Sequence, residues 1–294
     1  MDNLSVVRVA GDDAATFLHS QLTCDVRALQ PNAHTLGGWC NAQGRLLAVL
    51  NVFRQADGFL LTVPRDLAET LVARLRMFVL RAKVTVERAD EVFAVVAVAG
   101  FDPGPAVQGL SVAAMEVARE PVSYFHVITR SSDVAAITAN LEAVGSRADS
   151  TAWACFDIAA GLPCVHPKTS GEFVPQMLNL DLLGGVSFNK GCYPGQEIVA
   201  RLHFRGGLKG RMIRARVTAA HTEIAPGDPV FYPAAAGDQA VGRIVTASHC
   251  GASGTDVLAV VPLAALPDGI LRVGDPNAGP LLVPGEMPYS LPRT

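Results

Sequence analysis

The pattern of helical and strand-like segments in the sequence changes at about residue 206. Before that point, helical and strand-like patterns alternate, whereas after it only short strand-like runs remain, separated by glycine, proline and aspartate. Runs spaced by about 8–14 residues are typical of a small barrel or sandwich. An α+β body with a small all-β C-terminal barrel is therefore predicted, divided into regions 1–148, 149–206 and 207–294. The runs are Arg211–Val217, Pro229–Tyr232, Val241–Ala247, Val257–Val261 and Ile270–Val273.

The first region mixes both kinds of element. An apolar stripe of Leu67, Leu71, Leu75 and Phe78 predicts a helix opened by Pro64. Residues 46–53 and Phe59–Val63 read as a hairpin turned at Gly58. Further strands are predicted at 83–87, 92–98 and 124–129, a break at residues 103–105, and helices beginning near residues 13, 133 and 150.

Composition excludes several classes of protein. Half of the 294 residues are apolar and 17% are charged, which argues against global disorder. A net charge of −3 is not that of a dedicated nucleic-acid binder. No basic segment followed by an apolar run stands near Met1, so a cytoplasmic protein without a membrane partner is expected.

The cysteines show no metal-binding spacing. No Cys-x-x-Cys pair occurs and no histidine spacing completes a zinc set, so neither a metal site nor a stable iron–sulfur cluster within the chain is predicted. Without a secretory signal, disulfides are not expected, and most of the thiols should be buried apolar groups. The six are Cys24, Cys40, Cys155, Cys164, Cys192 and Cys250.

One short run brings together several residues with reactive or polar side chains, Lys190-Gly-Cys-Tyr-Pro-Gly-Gln-Glu197. Pro194 suits the first turn of a helix, and a thiol ahead of a helix and near Lys190 should form a thiolate readily. Cys192 is therefore the predicted nucleophile, with Lys190 activating it. The two glycines of the run allow a ligand to approach the backbone, and its last two residues supply an amide and a carboxylate.

This run resembles the signature of the YgfZ family, Lys-Gly-Cys-[Tyr/Phe]-x-Gly-Gln-Glu, at all seven specified positions. Phe173–Gln176 and Leu183–Phe188 are similar to the family's approach to this loop. Cys40–Arg45 looks like its early glycine turn, and Met287–Leu291 looks like its tail. The resemblance therefore covers almost the whole chain.

The resemblance implies a fold shared with the glycine-cleavage T-protein (GcvT), a ring of α+β domains with a C-terminal β-barrel. It implies tetrahydrofolate or a folate derivative as ligand, and an accessory role in iron–sulfur protein assembly or repair that affects tRNA thio-modification enzymes. Trp153 matches a tryptophan that the family places near the folate. The implied cofactor contacts are Trp153, Gly191, Tyr193, Gly195, Gln196, Glu197, Arg201 and Arg205.

Two departures bear on activity. T-proteins carry a catalytic aspartate where Ala48 and Val49 stand here, and a pterin-binding glutamate where Ala159 stands. Asp157 and Glu172 are the carboxylates that could replace the glutamate. The missing acid argues against an enzyme, and the alternative is a folate-dependent aminomethyl- or methyltransferase.

A basic stretch follows the motif. No acidic residue lies between Ile198 and Thr222, while arginine and lysine recur from Arg201 to Arg216. Such a stretch attracts anions, whether a polyglutamyl folate tail, RNA phosphates or an acidic protein. Arg214 and Arg216 are expected on the solvent face of a barrel strand, and direct nucleic-acid binding is left open.

Overall fold

A computed structural model of the chain describes residues 1, 3–99, 113–119, 122–218, 223–232, 239–251, 254–266 and 269–292. Its strands form a five-stranded sheet, a three-stranded sheet and a closed barrel of six strands. The prediction of an α+β body with a C-terminal barrel is confirmed. The predicted break at residues 103–105 lies outside the described ranges.

The five-stranded sheet is antiparallel and has the order β2-β3-β4-β1-β5. Helix α2 buries Leu67, Leu71 and Leu75, as its apolar spacing predicts, whereas Phe78 is 51% exposed because the helix ends at Met77, just before it. The hairpin at Gly58 is also confirmed, whereas β1 and β2 were not predicted. The elements are β1 Leu4–Ala10, α1 Ala14–His19, β2 His34–Cys40, β3 Leu46–Gln55, β4 Gly58–Pro64, α2 Arg65–Met77 and β5 Thr85–Arg88.

The three-stranded sheet has the order β6-β8-β7 and shares a hydrophobic core with Trp153 of the helix Ser150–Ala159. Asp149 begins α4 by accepting a hydrogen bond from the backbone N–H of Ala152 at 2.9 Å, which satisfies one of the unpaired donors of the first turn. The elements are β6 Phe93–Ala99, β7 Ala113–Arg119, β8 Val122–Arg130, α3 Val134–Glu142 and α4 Ser150–Ala159.

An irregular segment leads to α5, Gln196–Arg205, and then to the barrel. The helix begins at Gln196 rather than at Pro194, because Gly195 has a left-handed backbone (φ 79°) that interrupts the helical path. The barrel closes in the order β10-β11-β12-β9-β14-β13, and β14 was not predicted. Its strands are β9 Gly210–Val217, β10 Pro229–Phe231, β11 Gly242–Ser248, β12 Thr255–Pro262, β13 Leu271–Val273 and β14 Leu281–Pro284.

One hydrophobic core joins the body, the irregular segment and the barrel. It contains Leu22 from the body, Leu178 from the irregular segment and Leu258 from the barrel, all fully buried. At the same junction, the guanidinium of Arg211 donates to both carboxylate oxygens of Asp181 at 2.9 and 2.8 Å, a bidentate pair that is itself buried. The three regions of the sequence are thus packed as one body.

The expectation that no cysteines pair is wrong for one pair. Cys155 on α4 and Cys250 just after β11 form a disulfide with a Cα–Cα distance of 5.6 Å. The prediction assumed a reducing compartment because no secretory signal was seen. The two cysteines instead meet because α4 packs against the barrel strand β11. Burial raises the pKa of the Cys24 and Cys40 thiols to about 12, as suits small apolar core groups.

No helix within the described part of the chain combines the length and apolar character that crossing a bilayer requires.

Candidate functional site

Lys190 anchors the motif loop to the segment that follows α1. Its ammonium group donates hydrogen bonds to the backbone carbonyls of His19, Leu22 and Cys24 at 2.5, 2.6 and 2.9 Å. Only 8% of the residue is exposed. Burial lowers the pKa of Lys190 to about 8, an effect opposed by the side chains of Cys24 and Asp25. All three ammonium protons are used in holding the loop in place.

Gly195 anchors the other end of the loop against the turn between β2 and β3. A Cβ atom at Gly195 would lie 2.4 Å from the backbone N and Cα of Gly44 and 2.6 Å from the carbonyl oxygen of Asn41. The Asn41 side chain in turn accepts hydrogen bonds from the N–H groups of Gln43 and Arg45, each at 3.0 Å. Two segments that resemble the same family, far apart in sequence, therefore lie in direct contact.

The interior of the loop is tightly packed. Tyr193 is buried, its ring centroid lies 5.1 Å from the Lys190 ammonium nitrogen, and burial raises the pKa of its hydroxyl. The Gln196 amide donates to the Lys190 carbonyl at 3.4 Å. Gln176, from the other family-like segment, donates to the carbonyl of Val199 in α5 at 2.7 Å. These contacts make the loop a fixed platform.

Cys192 lies exposed on this platform. Among the free cysteines of the described residues, Cys24 and Cys40 are buried, Cys164 is half-buried and Cys192 alone is exposed. Gly191 beside it is exposed as well. Within the described part of the chain, the Lys190 ammonium makes its hydrogen bonds to carbonyls and none to the Cys192 sulfur. Activation of the thiol by Lys190 therefore stays a prediction.

A histidine that the sequence did not suggest lies next to the loop. Nδ1 of His19 is 3.0 Å from a carboxylate oxygen of Asp25, and a Cβ atom on Gly191 would lie 3.6 Å from Nε2. Burial and the charge of Lys190 lower the pKa of His19, while Asp25 raises it. A neutral imidazole beside a carboxylate, with its other nitrogen toward a thiol-bearing loop, has the features of a general base. Only the fold reveals it, because Lys190 brings the two segments together.

Trp153 belongs to the hydrophobic core of the three-stranded sheet, not to the core that contains Leu22 and Leu178. It is 7% exposed and packs edge-to-face on Tyr124, with ring centroids 4.7 Å apart. Its other ring neighbours are His126 at 5.1 Å and Phe156 at 5.7 Å. The indole Nε1 and both ring nitrogens of His126 are buried without a hydrogen bond to a described residue, although Nε2 of His126 lies 3.8 Å from a carboxylate oxygen of Asp157. Buried polar groups usually have partners, so this cluster could accept a polar ligand.

The carboxylates considered as replacements at the pterin site both have partners. Asp157 accepts a hydrogen bond from the Tyr124 hydroxyl at 2.7 Å. Glu172 accepts one from Arg243 at 3.1 Å. Ala48, where T-proteins carry the catalytic aspartate, is fully buried in β3 opposite Trp39.

The basic stretch divides into paired and unpaired cations. Arg211 pairs with Asp181, and Arg216 pairs with Asp256 at 2.6 Å on the barrel. Arg201 and Arg205 are exposed on α5 and have no hydrogen bond or ion pair to any described residue. Glu197 is exposed in the first turn of the same helix.

Two further features lie apart from the predicted site. A pocket of about 350 Å³ opens beside the barrel and is lined by Met287, Tyr289 and six neighbours, none of them a predicted site residue. Across the described ranges, no group of three histidine, cysteine, aspartate or glutamate side chains could hold a metal ion.

The chain is similar in sequence to bacterial proteins named tRNA-modifying protein YgfZ. The relative from Sodalis glossinidius is 31% identical over 99% of this chain and 92% of its own length. That from Edwardsiella ictaluri is 32% identical over 99% and 91%. That from Escherichia coli O157:H7 is 30% identical over 99% and 92%. No family model matches the chain.

The fold is similar to that of a solved structure, glycine cleavage system aminomethyltransferase T from Bartonella henselae. The TM-score is 0.75, over 97% of this chain and 84% of that one, at 16% sequence identity. At that identity the likeness concerns the fold alone, and it confirms the predicted GcvT-like architecture. The sequence identity to the YgfZ proteins extends over nearly the entire length of both partners, and this chain belongs to the YgfZ family.

Proposed function

We propose that this protein is a folate-binding accessory factor for iron–sulfur protein assembly and tRNA thio-modification, and that Cys192 is its reactive thiol. The observation that carries the proposal is the exposed thiol on a loop fixed at both ends, by Lys190 at one and by Gly195 at the other. The relatives' name, tRNA-modifying protein, supports a role in tRNA modification. Because tRNA modification takes place where tRNA is used, the proposal places the protein in the cytoplasm.

The thiol works in this proposal by exchange with a client protein. As the Cys192 sulfur attacks a client disulfide, its proton passes to Nε2 of His19, a new S–S bond forms and the client's S–S bond breaks. The leaving client thiolate then takes the proton from the imidazolium. Asp25 holds the ring in orientation during both transfers, and Lys190 acts as a positioning residue.

The folate in this proposal occupies a polar position beside Trp153. The unpartnered Nε1–H of Trp153 and the ring nitrogens of His126 fit the heteroatoms of a pterin. When bound, a folate would supply one-carbon chemistry. Glycines of the motif loop, with Gln196 and Glu197, remain the predicted contacts for the rest of the ligand, and Arg201 and Arg205 those for its anionic tail.

Complementation tests the thiol. In a bacterium that lacks its own YgfZ, Cys192→Ser should abolish restoration of tRNA thio-modification, measured by mass spectrometry of nucleosides. Cys164→Ser, a half-buried thiol, is the matched control and should restore it. Full restoration by Cys192→Ser would remove the thiol from the function.

Fluorescence titration with tetrahydrofolate tests the ligand separately. The chain's two tryptophans lie in different cores, Trp39 in the first and Trp153 in the second. Quenching should persist in Trp39→Phe and be lost in Trp153→Phe. Equal quenching in both variants, or none in the native chain, would contradict folate binding beside Trp153 and leave the thiol proposal standing.

The alternative, a folate-dependent aminomethyl- or methyltransferase, is supported by the shared fold. It is opposed by β3, where a fully buried alanine, Ala48, stands in place of a carboxylate. Tetrahydrofolate-dependent turnover of an aminomethyl donor would favour this alternative over the accessory role.

A further inference from the structure

The exposed end of α5 combines aromatic rings with cations. The folate proposal uses two of its arginines, but neither the thiol nor the folate proposal uses its aromatic rings. We refer to it as the α5 patch, made of Phe188, Arg201, His203, Phe204, Arg205 and Lys209. The patch adjoins the motif loop, since α5 begins directly after it at Gln196. At 1.5 Å per residue, the last arginine of the helix lies about 14 Å along the axis from the loop.

The rings of the patch form a stack. Phe188 and His203 lie face to face, with centroids 3.6 Å apart and planes inclined by 13°. Phe204 stands edge-on to His203 at 4.8 Å. Phe204 is also 71% exposed, although burial of an apolar ring is normally favourable. An aromatic side chain held in the open by a packed neighbour is a surface available for stacking.

The cations of the patch lack protein partners. Arg201 and Arg205 flank Phe204 at positions i−3 and i+1 of the helix, so the first of them shares its face. The side chains of Arg201, Arg205 and Lys209 make no hydrogen bond or ion pair with any described residue. Glu197 lies one turn before Arg201, but the two make no ion pair within 4.0 Å. These charges are therefore free to meet an anion.

We propose that the α5 patch binds unpaired nucleotides of a nucleic acid, with a base stacked on Phe204 and phosphates held by Arg201, Arg205 and Lys209. Stacking platforms interleaved with cations are the usual device for single-stranded nucleic acid. An acidic protein would also meet the charges, but the centres of protein interfaces are depleted of charge except for arginine, and they bury their aromatic rings in pockets. Here the ring projects outward among cations, which favours a flat base as its partner.

The test is fluorescence anisotropy of a labelled single-stranded RNA of about 15 nucleotides, a length that spans one such site. A DNA of the same sequence distinguishes RNA from DNA, and an RNA duplex tests the need for unpaired bases. The intact protein should bind the single strands more tightly than the duplex. Phe204→Ala should weaken binding about tenfold. Arg201→Glu with Arg205→Glu should lower the slope of log affinity against log salt by about 1.4.

Matched controls come from the end of α2. Phe78 is 51% exposed there and Arg74 is exposed, so Phe78→Ala and Arg74→Glu remove an equivalent ring and charge from another surface. Both should leave binding unchanged, and circular dichroism should show every variant folded. Binding that is as tight in Phe204→Ala as in the intact protein, that is weakened in the α2 variants, or that is absent up to about 100 µM protein at low salt would overturn the proposal.

Discussion

Replacing Lys190 by methionine removes the charge that ties the motif loop to the end of α1 while keeping a side chain of similar length. The substitution leaves the carbonyls of His19, Leu22 and Cys24 without their shared donor in a buried site. Each buried acceptor that loses its partner costs about 1–3 kcal/mol. Folding of the methionine variant does not require the desolvation of an ammonium group, which offsets part of this loss of stability. A net loss of about 3–5 kcal/mol of unfolding free energy is expected.

Urea unfolding followed by tryptophan fluorescence measures this loss, because Trp39 lies in the core beside the affected segment and pairs with Leu22. Lys168→Met is the matched control, since Lys168 is exposed and has no partner among the described residues. It should shift the unfolding free energy by less than about 0.5 kcal/mol. A Lys190→Met protein that is destabilised by less than about 1 kcal/mol would refute the anchoring role.

Three further predictions concern the loop, the disulfide and acid stability. Gly195→Ala should destabilise the protein and make the alkylation rate of the motif loop's thiol vary between preparations. Gly184→Ala should cost only the strain of its φ of 76°, since no atom lies within 4 Å of the added carbon. The urea midpoints of the two variants measure this difference. Reduction of Cys155–Cys250, whose sequence separation is 95, should cost up to about 4–5 kcal/mol, and a double serine variant should be insensitive to the reductant in thermal melts. Burial lowers the pKa of His166 below its usual 6.5, so the unfolded chain binds the proton first and stability should fall as the pH drops below about 6.5; a His166→Gln variant that loses stability just as steeply in urea titrations at pH 7.5 and 5.5 would contradict this.

The barrel and the chemistry of the motif could be predicted because their signals are local. Val257–Val261 and its neighbouring runs mark strands as short apolar stretches bounded by turn residues, and Cys192 stands within eight contiguous residues. Strand β14 escaped prediction because its four residues end at a proline and carry little pattern. The role of Gly195 could be expected from its residue type, but not the Gly44 backbone that requires it.

The partners of the site residues could not be predicted, because they lie far away along the chain. The acceptors of the Lys190 ammonium are 166–171 residues earlier, and His19 is among them. Cys155 and Cys250 are separated by 95 residues with no spacing rule to link them. Trp153 could be identified from its residue type, but its ring neighbours Tyr124 and Phe156 could not, and its role as a folate contact stays a prediction.

The core shared by the body and the barrel has a consequence for folding during translation. Leu22 and Leu258 pack in the same cluster, yet 236 residues separate them in the chain. At about 5–20 residues per second, the ribosome needs roughly 10–50 s to deliver the second after the first. Throughout that interval the apolar face of the N-terminal sheet lacks its cover. The nascent chain is therefore expected to depend on chaperones until the barrel emerges, and a ribosome stalled near residue 206 would release an aggregation-prone fragment.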